Sequence, residues 1–296
     1  MKRFFSLFAI SAVVLGMASC GGNDGNEPAS PYVVNPNSEN GMMPGFFTVD
    51  ADGTQVHFSQ GNLQYNDSAD VWIFAANQWD TLGIANKQIG KEDYKGWIDL
   101  FGWSTGKKPT EASTTDTDYK EPFVDWGKKN AIANGGNNVG AWRTLRQDEW
   151  VYICFKRENA AHLFGLGSVN GVNGVILLPD EWKMPTGVPT FKPSIDEGMA
   201  DYGTYYNDNR VGANRFVDNT YNAAQWDVLE KAGAIFLPAA GWRLGTNISS
   251  IGSYGGYWST ASNGASEAGG MFFDATYLGM SSGSPRSYGR SVRLVR

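Results

Sequence analysis

Eleven tryptophans stand between Trp72 and Trp258 in a chain that also carries 37 glycines and 12 prolines. Bulky rings separated by frequent backbone breakers do not build long helices or long strands. They build a domain of many loops, each pinned by an aromatic side chain. The apolar runs agree with this. Val56–Gln60 alternates as a half-buried strand, and short strands are predicted from Asn62 to Tyr65 and over Val71–Phe74. Val175–Leu178 and Ile235–Leu237 are two similar buried strands, each closed by a proline, and Tyr257–Ser259, Met271–Phe273 and Ser291–Val295 complete the set. Only two segments have helical spacing. Thr144, three residues before Gln147, has the spacing of a capping box, and the stripe Trp150, Ile153, Cys154 extends a helix over Leu145–Arg157. Asn222 as N-cap and Gly233 as left-handed stop bracket a second helix over Ala223–Lys231. Two helices and many short strands define an α+β fold. Its predicted core joins Trp150, Ile153, Cys154, Trp226, Leu229, Phe236 and Trp258.

The first residues have a different purpose. Met1-Lys2-Arg3 is a basic start, Phe4–Met17 is an apolar run too short to span a bilayer, and Ala18-Ser19-Cys20 follows. Residues 1–19 are expected to be a signal peptide. The boundary resembles the bacterial lipobox, which implies that Cys20 is acylated and becomes the first mature residue, a durable membrane anchor. Residues 20–45 are rich in Gly, Asn, Pro and Ser and are expected to be a flexible tether. Residues 46–296 then form one large domain.

Loss of Lys2 and Arg3 with the leader takes the formal charge from −6 to −8, against a nucleic-acid partner. With Cys20 committed to lipid, Cys154 is the one remaining cysteine, so no disulfide forms within the mature domain. Cys154 lies in an apolar stretch and is expected to be a buried, inert thiol. His57 and His162 lack metal-ligand spacing, and no cofactor or metal is expected.

The segments VHFSQGNLQY (56–65), GWIDLFGW (96–103), WRTLRQDEW (142–150), GVNGVILLP (171–179), GAIFLPAAGWR (233–243), GYWST (256–260) and GRSVRLV (289–295) carry a resemblance. In order and spacing they are similar to surface lipoproteins of gut-dwelling Gram-negative bacteria. The domain of those proteins is related to the Fibrobacter succinogenes major paralogous domain. That resemblance implies a C-type-lectin-like fold, with two helices packed on a small mixed or antiparallel sheet among long glycine-rich loops, displayed at the outer membrane. The same fold class holds the formylglycine-generating (sulfatase-modifying) enzymes and the variable proteins of diversity-generating retroelements.

Tyr257, Trp258, Ser259, Ala268, Phe273, Arg286, Gly289 and Ser291–Val295 match the framework of retroelement-diversified members. Residues 255–290 are thereby a candidate variable region. At positions where such proteins vary stand Asn263, Gly269, Gly270, Phe272, Gly279, Ser282, Gly283, Ser284, Ser287 and Tyr288. All are reachable from the adenine-mutable codon of those genes, whereas Glu267, Met271 and Met280 are not. The ten are the candidate ligand-binding set, expected to lie exposed on one surface above buried Trp258, Phe273, Val292 and Leu294. Glycine, serine and tyrosine dominate Gly245–Gly289, an adaptable binding palette. Residues 241–296 set five arginines against Glu267 and Asp274. Those arginines either meet an acidic or aromatic partner or make structural hydrogen bonds, Arg286, Arg290 and Arg293 above all.

The expected function is therefore non-catalytic: a lipid-anchored surface protein that binds a protein or glycan on another cell, a host or a phage. The alternative is a structural or fimbria-associated envelope component. A formylglycine-generating enzyme needs a reactive cysteine pair, and calcium-dependent sugar binding needs sequence triplets that residues 46–296 lack.

Overall fold

The computed structural model describes residues 32–193, 215–275 and 277–296. The predicted signal peptide and Cys20 lie outside them, as does the first part of the predicted tether. The fold is α+β, with few helices and many short, mostly antiparallel strands. β1 (Phe47–Thr48) pairs with β2 (Gln55–Val56), and β3 (Leu63–Asn66) with β4 (Val71–Phe74). After a long stretch of loops come α1 (Trp126–Lys129), capped by Asp125, and β5 (Arg143–Thr144).

The helix predicted over Leu145–Arg157 is real but wound in two ways. α2 covers Gln147–Val151, and Tyr152–Lys156 continues as a π-helical turn. Its start also differs from expectation. Thr144 is held in β5 opposite Leu294, so the cap falls two residues later, at Arg146. The Glu149 carboxylate accepts the Arg146 backbone N–H at 2.7 Å. β6 (Phe164–Val169) and β7 (Val172–Leu177) form a hairpin, β8 (Thr220–Tyr221) adds parallel to β6, and β9 (Ile235–Pro238) adds antiparallel to β7. The two look-alike proline-closed segments are thus neighbours, with Gly174 opposite Pro238 and Leu177 opposite Ile235. Between β8 and β9, α3 spans Ala223–Lys231 as the caps predict, the Asn222 side chain accepting from Gln225 N–H.

β10 (Trp242–Leu244) lies between β11 (Asn247–Ser249) and β15 (Tyr288–Gly289). The C-terminal sheet is a meander of β12 (Tyr254–Asn263), β13 (Glu267–Asp274) and β14 (Leu278–Pro285). β16 (Leu294–Val295) returns to β5. The end of the chain also pairs with its early part: His57 and Arg296 exchange backbone hydrogen bonds of 2.9 and 3.0 Å, and Ser59 N–H reaches Leu294 O at 2.9 Å.

The seven predicted core residues are all buried, at 1% exposure or less. They do not form one core. Trp150, Ile153 and Cys154 belong to a cluster with Phe58 and Tyr257, Trp258 to a second with Trp103 and Trp126, and Trp226, Leu229 and Phe236 to a third. β12–β14 separate the first two: Tyr257, Met271 and Phe273 face one, Trp258, Ala268 and Phe272 the other.

The tether boundary needs correction. Residues 32–45 contain the loop chemistry of a linker, yet Met43 is fully buried and Asn35 nearly so. Asn35 N–H donates to Gln60 Oε1 at 2.9 Å and its side-chain amide to Glu230 Oε2 at 3.0 Å, while Asn37 donates to Asp227 and Glu230. Carboxamides read from sequence as solvated are satisfied by buried acceptors, which fixes this stretch on the domain. Among the described residues no helix is long and apolar enough to cross a membrane.

Candidate functional site

The ten residues expected to form an exposed face do not form one. β13 is paired on both edges and covered on both faces, so Gly269, Gly270 and Phe272 are buried. A Cβ on Gly269 would collide with the Gln147 amide, and one on Gly270 with the Tyr257 carbonyl. These glycines let neighbouring groups approach and leave no room for variable side chains. Phe272 lies between Tyr254 and Trp258, with ring centroids 6.5 and 6.4 Å away. Gly279 is buried on β14, Ser284 accepts from Arg290 Nη2 at 3.2 Å, and Ser287 is 1% exposed with its N–H on Asp116. Asn263 and Gly283 are exposed, and Tyr288 is half-buried, stacked on Trp242 at 4.9 Å and 7°. The side chain of Ser282 lies outside the described set. Trp258, Phe273, Val292 and Leu294 are buried as expected.

The arginines follow the structural alternative. Arg243, Arg286, Arg290 and Arg293 are all inside. Arg243 donates to the carbonyls of Leu100 and Gly245, and Arg286 to those of Tyr119, Gly264 and Glu267. The Arg290 guanidinium lies 5.0–5.3 Å from the ring centroids of Tyr254, Phe272 and Tyr288. Burial pushes the Cys154 thiol up to about 12, so it stays protonated at neutral pH.

A cleft of about 1020 Å³ opens elsewhere, between β1–β2, the π-helical turn and the turn after β7. Each wall has a local cause. Arg157 N–H reaches back five residues to Tyr152 O at 2.9 Å, closing the wide turn that carries Tyr152 to the cleft. Asn159 and Glu181, on opposite sides, both hold φ of +55°. For Glu181 this is an uncommon conformation that the surrounding structure must enforce. Phe46, 51% exposed, lines the rim with its ring 4.2 Å from that of His57. Gln55, Glu158, His162, Trp182 and Lys183 also line it.

The floor is closed by an ion pair with Arg157 buried and Asp180 open to the cleft. Arg157 Nη1 meets Asp180 Oδ1 at 2.9 Å, and Arg157 also donates to the carbonyls of Ile153 and Leu178, both at 2.7 Å. Asp180 Oδ2 accepts Thr48 N–H and Thr48 Oγ1, each at 2.7 Å. Burial alone disfavours the Asp180 charge, but the Thr48 bonds and the Arg157 cation outweigh it and hold this carboxyl below its ordinary value. The floor is thus rigid and internally satisfied. Among the described residues, no group of three His, Cys, Asp or Glu side chains could hold a metal ion. The arrangement offers aromatic surface and hydrogen-bonding groups, which is binding chemistry. The sequence reading missed this site because its walls come from four distant stretches. The only local hint is the aromatic and charged run Asp180–Lys183 after a strand-closing proline.

One domain family, described as Domain of unknown function (DUF8237), matches residues 205–295. That stretch brackets α3 and the C-terminal sheet and leaves the cleft walls outside. No curated protein and no solved structure matches the chain.

Proposed function

We propose that this chain is an exported, lipid-anchored, non-catalytic binding protein of the cell surface, and that its ligand occupies the cleft bounded by Phe46, Tyr152 and Trp182. The cleft carries this reading: its floor is satisfied by its own ion pair, while its rim keeps aromatic and polar side chains open. The N-terminal Ala18-Ser19-Cys20 boundary supports the anchor. A C-type-lectin-like fold belongs to the same proposal. It is supported by the pairing of His57 with Arg296 and by the β12–β14 meander placed after the long loop region. In this reading the described positions open to retroelement diversification are Asn263, Gly283 and Tyr288. It requires a reverse-transcriptase gene nearby and an adenine-rich near-repeat of the gene's 3′ end.

A photo-crosslinking residue placed at Gln55, on the cleft rim, and another at Ala69, in the exposed β3–β4 turn, test the location in intact cells mixed with their natural neighbours. Adducts from Gln55 alone support the cleft. Adducts from Ala69 alone, or none from either, overturn it and favour the structural envelope role.

A further inference from the structure

We infer that the occupant of this cleft is a neutral oligosaccharide, an inference that rests on the cleft being the binding site. The first argument is the balance of the lining. Phe46, Tyr152 and Trp182 offer apolar ring surface, and none is fully covered by the protein. Such rings match the C–H faces of pyranoses, which are apolar patches on otherwise polar molecules. Between them stand Glu158, Asn159, His162 and Glu181, whose side chains have no hydrogen-bond partner among the described residues. Carboxylates accept, a carboxamide donates and accepts, and imidazole can do either. Sugar hydroxyls, each a donor and an acceptor at once, satisfy such a mixed set without bringing a charge of their own.

Charge narrows the class. Asp180 is already neutralised by Arg157, and the other charges of the lining are Glu158, Glu181 and Lys183. Two carboxylates beside one lysine disfavour an anion and offer a cation an excess of only one charge, whereas a neutral polyhydroxylated chain needs no charge matching. Size sets the length. The volume of about 1020 Å³ is at the top of the roughly 300–1,000 Å³ range usual for small-ligand sites, so a short oligosaccharide fits better than one sugar.

The test uses the full mature chain in non-ionic detergent, with native affinity electrophoresis through gels containing neutral glucans, mannans, galactans and xylans in turn. A basic lysine-rich peptide and a polyanionic glycan serve as competitors. The expected result is retardation by at least one neutral glycan, weakened about tenfold or more by Tyr152→Ala or Trp182→Ala. Glu158→Ala, at an exposed position, should weaken it with an unchanged melting temperature. Absence of retardation by every glycan, retardation indifferent to all three variants, or displacement by the basic peptide at lower concentration than by free oligosaccharide overturns the inference. If crosslinking from Gln55 persists in those cases, the glycan class has failed and the cleft reading stands. If it is lost too, both have failed.

Discussion

Arg293 and Glu230 are a buried cation and a buried carboxylate that never touch: the side chain of Gln78 stands between them. Gln78 Oε1 accepts from Arg293 Nη2 at 2.8 Å, and Gln78 Nε2 donates to Glu230 Oε1 at 2.9 Å. The same Oε1 accepts Phe236 N–H at 2.7 Å, and Nε2 also reaches Ala234 O at 3.1 Å. One amide thus ties the last strand, α3 and β9 together. Burial drags the Arg293 guanidinium down to about 10, so it remains charged at neutral pH and depends on these oxygens. Gln78→Leu would strand the Arg293 cation and the Phe236 N–H at once, and leave Glu230 only its Asn35 and Asn37 bonds. A loss of roughly 3–5 kcal/mol is expected, read as a lowered urea midpoint. A midpoint within error of the parent would show that the amide is dispensable.

Asp99 gives a pH signature. It is fully buried, its carboxylate accepting the Leu82 backbone N–H at 2.8 Å and the Asn86 side-chain amide at 2.7 Å. Burial raises its carboxyl from 3.8 to about 6, the two donors only partly opposing the shift. Because the folded value lies above the unfolded one, the folded state binds the extra proton. Its contribution to stability is complete below about pH 4 and is lost as pH rises through 6. The protein should therefore lose roughly 2 kcal/mol relative to Asp99→Asn between pH 4 and 7. Parallel stability curves for the two proteins would contradict this.

The C-terminal meander separates tolerant from intolerant positions. Gly269→Ala and Gly270→Ala should each cost about 1–3 kcal/mol, since the added methyl meets the Gln147 amide or the Tyr257 carbonyl. Asn263→Tyr and Gly283→Tyr should shift stability by about 0.5 kcal/mol or less, because both sites are exposed and the nearest atom to a Cβ at Gly283 is 3.6 Å away. Thermal midpoints of the four variants decide it. Equal tolerance at all four would restore the broad variable face expected from sequence.

Lipidation is tested directly. Cells grown with a radiolabelled fatty acid should label the protein, and Cys20→Ala should abolish the label. Label retained by the variant removes the anchor from the proposal.

What sequence could reveal depended on how far each cause reaches along the chain. The bounds of α3 were legible because Asn222 and Gly233 act within a turn of the helix they delimit. The π-helical turn after α2 was not, since Trp150, Ile153 and Cys154 form the same apolar stripe in either winding. Gly269 and Gly270 misled for a related reason. A glycine in a doubly paired strand looks, in sequence, like a glycine in a loop, and only the strands on either side distinguish them. The arginines were ambiguous because their acceptors are distant carbonyls, such as Leu100 for Arg243 and Tyr119 for Arg286. The cleft was invisible for want of any local pattern shared by its walls.

The attachment of Asn35 and Asn37 to α3 has a mechanical consequence. Residues 35–48 run from those anchor points, through buried Met43, to Phe46 and Thr48 at the cleft. In the proposed anchored and ligand-bound state, the ligand would pull on Thr48 and Asp180 and the anchor on the chain ahead of Asn35. The load path between them is about a dozen residues long, braced by the Asn35–Glu230 and Thr48–Asp180 bonds. No residue of the β12–β14 meander lies along that path, and the meander meets it only through the core cluster that Met43 shares with Tyr257, Met271 and Phe273.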